Sequence, residues 1–449
     1  MNPRAASHVA VIGAGWSGLA AAITLLDAGQ RVTLVEAAPQ VGGRARRVDV
    51  MLGDRIYSLD NGQHLMVGAY RAYLDLARRV GVALEKRFLV TPFALRYADG
   101  FRMVAARAPA PLHLAAALAG ARGLTWRERI HAVLWVRGWQ RRRWTLAEDR
   151  AAATLFDAHP PRLVERLWGP LCLAALNVRL ESASARVFLQ VLGDTLGADA
   201  AASHLLLARY NASGLFPDAA ETAIRASGGV VRLHEPALGL ESASADTWRL
   251  RLRRDGIDAD AVILALPPAR CTDLMRTTGE AALHAAIEQL ERLGSAPIAT
   301  VYLRYPESVR LPHPLLALLE RPEHGDYGQW VFDRGLLESA CAGVLSVVVS
   351  GTGSHADLSA RDLAAAIARQ LSACLGLPRP SAHAVLVEKR ATITPGPGLV
   401  RPDVRLPVRG LYLAGDAAAS PYPSTLEGSI RTGIAAAHAA IADAALNAP

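Results

Sequence analysis

The residues with the clearest chemical purpose are Gly13-Ala-Gly15-Trp-Ser-Gly18, answered eighteen residues after the last glycine by Glu36. They follow the apolar run His8 to Ile12, open an alanine-rich stretch that reaches Asp27, and precede a second apolar run from Arg31 to Glu36. That is the order strand, glycine turn, helix, strand. The glycines differ in what they do physically. Gly13 makes the tight turn, Gly15 lets the backbone approach a pyrophosphate, and Gly18 lets helix and strand pack closely. The helix N-terminus, with Trp16 and Ser17 in the binding segment, faces the anion. Glu36, with Ala37 beside it, is placed to accept from adenosine ribose hydroxyls.

Six residues beyond Glu36 the pair Gly42-Gly43 and Arg44 add an element that NAD enzymes do not require. With it, VIGAGWSGLAAAITLLDAGQRVTLVEAAPQVGGRAR resembles the opening of the FAD-dependent amine oxidase and carotenoid desaturase superfamily. The resemblance implies FAD, with Arg44 and the Gly43 backbone near the pyrophosphate and isoalloxazine side. Leu411-Tyr-Leu-Ala-Gly415-Asp416 and Pro423-Ser-Thr-Leu426-Glu427-Gly428 are similar to the superfamily's second flavin signature. There Asp416 would bind a ribityl hydroxyl or a phosphate-bound water, while a helix N-terminus near Leu426 to Ser429 aims its amides at the flavin. Gly229-Val-Val-Arg-Leu resembles the adenine-side strand, which implies a base contact at Ala237.

The branch is read from Asp60-Asn-Gly62-Gln63-His64-Leu-Met-Val-Gly-Ala-Tyr70, which resembles the histidine loop of plant and cyanobacterial carotenoid desaturases and places Gly62 and Gln63 at the flavin. Amine oxidases instead carry a flavin-side lysine, where this chain offers Ala299 or Thr300. No cysteine lies in the C-terminal flavin segment, so the FAD is expected to be non-covalent. Together with Trp168-Gly-Pro-Leu-Cys-Leu-Ala-Ala-Leu-Asn177 and GDAAASPYPSTLEGSIRTG, the loop is similar to the squalene-associated branch. That branch implies reduction of the allylic alcohol hydroxysqualene to squalene in hopanoid biosynthesis, with reduced FAD as hydride donor. Hydroxide leaves poorly, so an acid must protonate the oxygen. His64 is the first candidate as acid or orienting donor, with Glu427 and Tyr422 behind it, and Asp60 is expected to order the loop. Oxidative carotenoid desaturation and a non-catalytic, flavin-containing lipid-handling protein are the alternatives.

These residues need a scaffold, and 449 residues supply a prior of two or three domains at roughly 100 to 200 residues each. The expected fold is α/β: a doubly wound, Rossmann-type FAD domain from residues 1–70, 215–285 and 391–449, interleaved with a mixed-sheet and helical substrate domain from 71–214 and 286–390. The polar stretch Val48 to Asn61 carries no assigned element, and residues 106–207 read as mostly helical with no strand. Four scattered cysteines without a CxxC pair disfavour disulfides and a metal site, and fit a reducing cytoplasm. Net charge is +8, almost wholly arginine because the only lysines are Lys86 and Lys389. No nucleic-acid motif accompanies it, so no nucleic-acid partner is expected. The tryptophan- and arginine-rich stretch Thr125 to Trp144 has the composition of an interfacial helix, and no apolar run reaches the 18 or so residues of a spanning helix. The expected partners are therefore a long-chain isoprenoid, the inner face of a membrane held peripherally, and neighbouring enzymes of the squalene pathway. Acid or heat should release a yellow supernatant with the mass of FAD; flavin that stays with the denatured polypeptide overturns the non-covalent assignment.

Overall fold

A computed structural model describes residues 6–244 and 246–446. One layer is a five-stranded parallel sheet in the order Val230–Arg232, Arg31–Val35, His8–Ile12, Ala261–Leu264 and Leu411–Leu413. Three distant chain segments thus meet in one sheet. His8–Ile12, Ala261–Leu264 and Leu411–Leu413 are buried at almost every position, which is why they read as continuous apolar runs and not as alternating ones. The first helix, Trp16–Asp27, and the last, Leu426–Leu446, cover one face. On the other face lies an antiparallel meander, Gly239–Ser244, Thr247–Arg251 and Gly256–Ala259, whose Leu240, Trp248 and Leu250 pack against Ile12, Val262 and Leu264. The Rossmann-type layer expected from the sequence is present, with a meander where a second helical layer would lie.

The second sheet runs Leu315–Ala317, Trp330–Asp333, Val344–Ser350, Ser295–Arg304 and Ala382–Ile393, antiparallel at every pairing. Helix Ala360–Leu375 closes one face with Leu363, Ile367 and Leu371. The helical segments between 112 and 196 gather at its other side around Trp168, Phe188 and Leu189. The stretch Val48 to Asn61 folds as a hairpin, Arg47–Leu52 with Arg55–Asp60. Its Val50, Leu52, Tyr57 and Leu59 face Tyr302 and Val344 of the second sheet, so alternating burial hidden among polar residues makes this strand pair. Leu205–Ala208 is also a strand, within the region read as helical, and it pairs with Leu65–Val67 and Phe88–Thr91.

Several segments pack across the boundaries drawn from sequence. Tyr73, Leu76, Ala77 and Phe88 join the core under the first helix, although they lie beyond residue 70. Ala286, Ile287 and Leu290 share the meander's core, past residue 285. The tryptophan-rich stretch forms helix Trp126–Arg141, started by a capping box in which Thr125 and Glu128 satisfy each other's backbone amides. Trp135, Trp139 and Trp144 turn inward: Trp139 is buried, and Trp135 lies 4.6 Å from Trp168 between ring centroids. Among the described residues no helix is long and apolar enough to cross a membrane.

The two covering helices meet at bare backbone. A Cβ added at Gly433 would fall 2.1 Å from the Ser17 carbonyl oxygen, far inside any real contact. Gly433→Ala gains about 1 kcal/mol of helix propensity, but forces the helices apart at a typical overpacking cost of about 1–3 kcal/mol. Thermal unfolding should therefore show a lower Tm; a Tm at or above the parent's overturns the close approach.

Candidate functional site

At the end of strand His8–Ile12 the chain turns through Gly13 at φ +102°, where a Cβ would lie 2.4 Å from the Ala265 carbonyl oxygen. Gly18 stands against the Gly13 carbonyl, where a Cβ would be 1.9 Å away. Gly15 begins the first helix as its N-cap and supplies no side-chain acceptor, and the first turn carries no acidic residue. The amides and dipole of this turn are consequently uncompensated by side chains. Gly42 pairs with Gly15, donating its N–H to the Ala14 carbonyl at 2.8 Å, and a Cβ on Gly43 would sit 3.0 Å from Gly15 Cα. The two glycine elements thus form one cradle. Trp16 lies within it only by its backbone, because its indole is buried against Tyr73 and Phe216 and donates to the Ala45 carbonyl. Ser17 is buried where Gly415 and Gly433 converge.

Glu36 closes the second strand. Its carboxylate accepts from the amides of Ala14 at 2.7 Å and Ala38 at 2.8 Å, which fixes it across the first turn and leaves lone pairs for further donors. Ala37 beside it is exposed. Glu235 donates its N–H to the Glu36 carbonyl and His234 to that of Ala38, so the loop that continues to the half-buried Ala237 lies along the same edge.

From the other end of the chain, Gly415 at φ +78° donates to Thr432 Oγ1 at 2.9 Å. Asp416 accepts from Arg44 Nη2 at 2.6 Å. Arg44 Nη1 also donates to the Ala391 and Arg390 carbonyls, and the nearby Asp416 carboxylate raises the Arg44 pKa. Arg44 is therefore a clasp between the glycine cradle, the end of strand Ala382–Ile393 and Asp416. Arg401, which sequence reading passed over, donates to the carbonyls of Asp416, Ser420 and Tyr422 and shapes the loop into the last helix.

The loop Asn61 to His64 crosses the middle of strand Ser295–Arg304. Gln63 donates its N–H to Thr300 Oγ1 at 3.3 Å and accepts from Ser346 Oγ at 2.9 Å. Gly62 faces Thr300 as well. Asp60 orders the loop as expected: its side chain accepts from the Ala212 N–H, and its carbonyl from Tyr302 Oη at 2.9 Å. Burial pushes its carboxyl up to about 6, against the opposing pull of the Arg334 guanidinium. His64 stands apart from these bonds. Its Nε2 is buried without a hydrogen-bond partner, and burial lowers its pKa to about 4, so the ring is neutral at pH 7.

The two other acid candidates are committed elsewhere. Glu427 is fully buried, and its oxygens accept from the Ala72 and Tyr73 amides that begin helix Arg71–Arg79, and from Arg431 Nε at 2.7 Å. It caps a distant helix, and its oxygens are already partnered there. Tyr422 donates its hydroxyl to Asp194 and lies under the Arg431 guanidinium, 4.3 Å from ring centroid to Cζ. Leu426, next to Glu427, opens the last helix, whose Gly428 amide is already capped by Thr425 Oγ1. Asn177, at φ +58°, joins the helical segment to the second sheet: it donates to the Ala296 and Pro297 carbonyls and to Thr392 Oγ1, and accepts from the Gly351 amide. Its place at the end of the Trp168 motif is the one signal of that role in the sequence.

These features fit a flavin dinucleotide. The site offers an uncapped helix start, a glycine cradle with no room for side chains, an anchored Glu36 and an orphaned imidazole. The model of the family described as "Flavin containing amine oxidoreductase" matches residues 16–441. The chain is 29% identical to hydroxysqualene dehydroxylase of Rhodopseudomonas palustris, covering 97% of this chain and 98% of that protein. With hydroxysqualene dehydroxylase of Sinorhizobium fredii it shares 27% identity, over 97% and 99% of the two chains. The structure of cyclohexylamine oxidase from Brevibacterium oxydans superposes with a TM-score of 0.70 at 18% identity, over 99% of this chain and all of that one. Glu427→Gln should lower unfolding stability by about 1.5–3 kcal/mol, the worth of hydrogen bonds to a charged acceptor, with turnover per bound flavin retained. Full stability with lost turnover would return Glu427 to the chemistry.

Proposed function

The chain belongs to the flavin-containing amine oxidoreductase family and is an FAD-dependent oxidoreductase, and from that premise we propose that it reduces hydroxysqualene to squalene. In this reaction the C–O bond of the allylic alcohol breaks, a C–H bond forms from hydride, and the oxygen leaves as water after taking up one proton from solvent. Bound and reduced, FAD supplies the hydride. The glycine cradle and Glu36 hold its dinucleotide portion, Arg44 and Asp416 fix the loops beside it, and the Asp60 to His64 loop faces the substrate.

The observation that carries the reading is the unpartnered Nε2 of His64. A neutral imidazole nitrogen either donates or accepts according to tautomer, and an alcohol hydroxyl satisfies it either way, being donor and acceptor at once. The charged ring is a minor species. With a pKa near 4, about one ring in a thousand is protonated at pH 7, a cost of about 4 kcal/mol for any path through imidazolium. His64 accordingly orients the departing hydroxyl as a neutral hydrogen-bonding group, and Leu65 and Val67 beyond it pack against the apolar cluster of the helical layer.

Rapid mixing of dithionite-reduced enzyme with hydroxysqualene tests this. His64→Ala should keep its flavin and reoxidise on the order of 10²-fold more slowly, as when a positioned donor is lost. His64→Gln should stay within about tenfold of the parent, and the parent rate should be flat between about pH 5.5 and 8. Linkage gives a second readout. The unfolded ring titrates at 6.5 and the folded one at about 4, so the unfolded state binds more protons between them and His64 destabilises the fold as pH falls through that window. His64→Gln should lose less stability there than the parent. A parent rate that drops tenfold per pH unit, with Gln as slow as Ala, would make imidazolium the acid.

A further inference from the structure

The tryptophan helix turns Trp135 and Trp139 inward, yet leaves a different apolar stripe bare. Trp126, Ile130 and Leu134 follow one another at four-residue spacing and are 66%, 51% and 64% exposed; Leu112, on the neighbouring helix Leu112–Ala119, is 60% exposed. Four-residue steps keep these side chains on one slowly drifting face. The same stretch of sequence carries Arg107, Arg122, Arg127, Arg129, Arg137, Arg141, Arg142 and Arg143, of which Arg129 donates to the Leu124 and Ala119 carbonyls, while Glu128 is the only acidic residue between positions 105 and 147. Among the described residues none of these eight arginines is ion-paired with a carboxylate, although many arginines elsewhere are. Arg127 lies over the Trp126 ring at 5.3 Å and Arg142 over Trp139 at 5.4 Å.

An apolar cavity of about 230 Å³ opens between the same two helices, lined among others by Phe93, Met103, Leu112, Leu118, Val136 and Trp168. Leu112 both lines it and stands exposed, so the cavity reaches the surface within the stripe. His64 is not among its lining residues, but Leu65, next to His64, packs in the same apolar cluster.

We propose that this face docks on an anionic phospholipid surface, with Trp126, Ile130, Leu134 and Leu112 among the acyl chains and the arginines on the phosphates, so that the cavity mouth opens toward the bilayer. Charge complementarity selects the lipid. Guanidiniums without carboxylate partners beside bare tryptophan and leucine satisfy an anionic interface, where aromatic rings sit at headgroup level and arginine side chains reach up from the apolar layer. Docking stands on the stripe and the arginines; delivery of a bilayer-dissolved isoprenoid through the cavity rests on the hydroxysqualene reading.

Flavin-loaded full-length protein is sedimented with phosphatidylcholine vesicles, with and without phosphatidylglycerol. The parent should bind the anionic vesicles, more weakly as salt rises, and barely bind the neutral ones. Ile130→Glu with Leu134→Glu, and separately Arg127→Gln with Arg141→Gln, should each weaken binding on the order of tenfold or more at unchanged flavin content and Tm. Their turnover of hydroxysqualene should hold in detergent and fall when the substrate is embedded in vesicles. Equal vesicle binding by both variants, or none by the parent, overturns the docking face. A parent dimer abolished by Ile130→Glu with Leu134→Glu, without vesicle binding, assigns the face to a second copy and overturns it too. Vesicle binding intact in the parent but no turnover in either medium leaves docking standing and overturns the substrate reading.

Discussion

The ion pair between Arg44 and Asp416 joins segments 372 residues apart, and the site depends on it. On one side the guanidinium belongs to the loop that carries Gly42 and Gly43 against the first helix; on the other the carboxylate ends the last strand of the parallel sheet. Asp416 is almost buried, so the charges are partly withdrawn from water and each makes the other tolerable there. Arg44 also reaches the carbonyls of residues 390 and 391, at the end of the longest strand of the second sheet. One side chain therefore ties the nucleotide layer to the substrate layer, beside the bonds of Asn61 to the Arg44 carbonyl and of the Ile393 amide to Ser424.

The histidine end of the Asp60 to His64 loop carries no charge of its own. Gln63 is held by Thr300 and Ser346, Asp60 by Ala212 and Tyr302, and the one ring left over is held neutral by burial. Asp60 and His64 are driven by the same dehydration in opposite directions, the acid up and the base down, and both shifts oppose charge. A loop of this kind suits a reaction whose substrate is apolar except for one hydroxyl. Such a substrate brings no charge of its own to be matched.

The nucleotide cradle was legible in the sequence because its glycines encode backbone geometry directly: Gly13 and Gly18 are demanded by carbonyl oxygens closer than any Cβ permits. Long apolar strands were legible for a similar reason, since burial on both faces leaves no room for alternation. What the sequence does not carry is direction. Glu427 lies in a flavin-like signature, but its partners Ala72 and Tyr73 are some 350 residues away, and no local pattern names them. The tryptophan helix was recognisable as amphipathic and interfacial in composition, but three tryptophans pack inward and the bare stripe is built from Trp126, Ile130 and Leu134. Composition carries no phase. The hairpin at 47–60 was concealed by arginine and aspartate on its outer positions, although Val50, Leu52, Tyr57 and Leu59 alternate as a half-buried strand pair must.

The parallel sheet gathers strands from residues 8–12, 31–35, 230–232, 261–264 and 411–413, and this spacing governs the order in which the protein matures. About 400 residues separate His8–Ile12 from Leu411–Leu413, and a ribosome must make all of them before the late strand can pair with Ala261–Leu264 and the last helix can cover the first. Until then the face of the first helix is bare and Arg44 has no Asp416. Contacts of such long sequence separation form slowly, because the loops they close must be ordered first. Cofactor capture is in this sense a late step in synthesis: the cradle is made first, but Arg44 meets Asp416, and the last helix covers the first, only after the segment from Leu411 to Leu446 has been added.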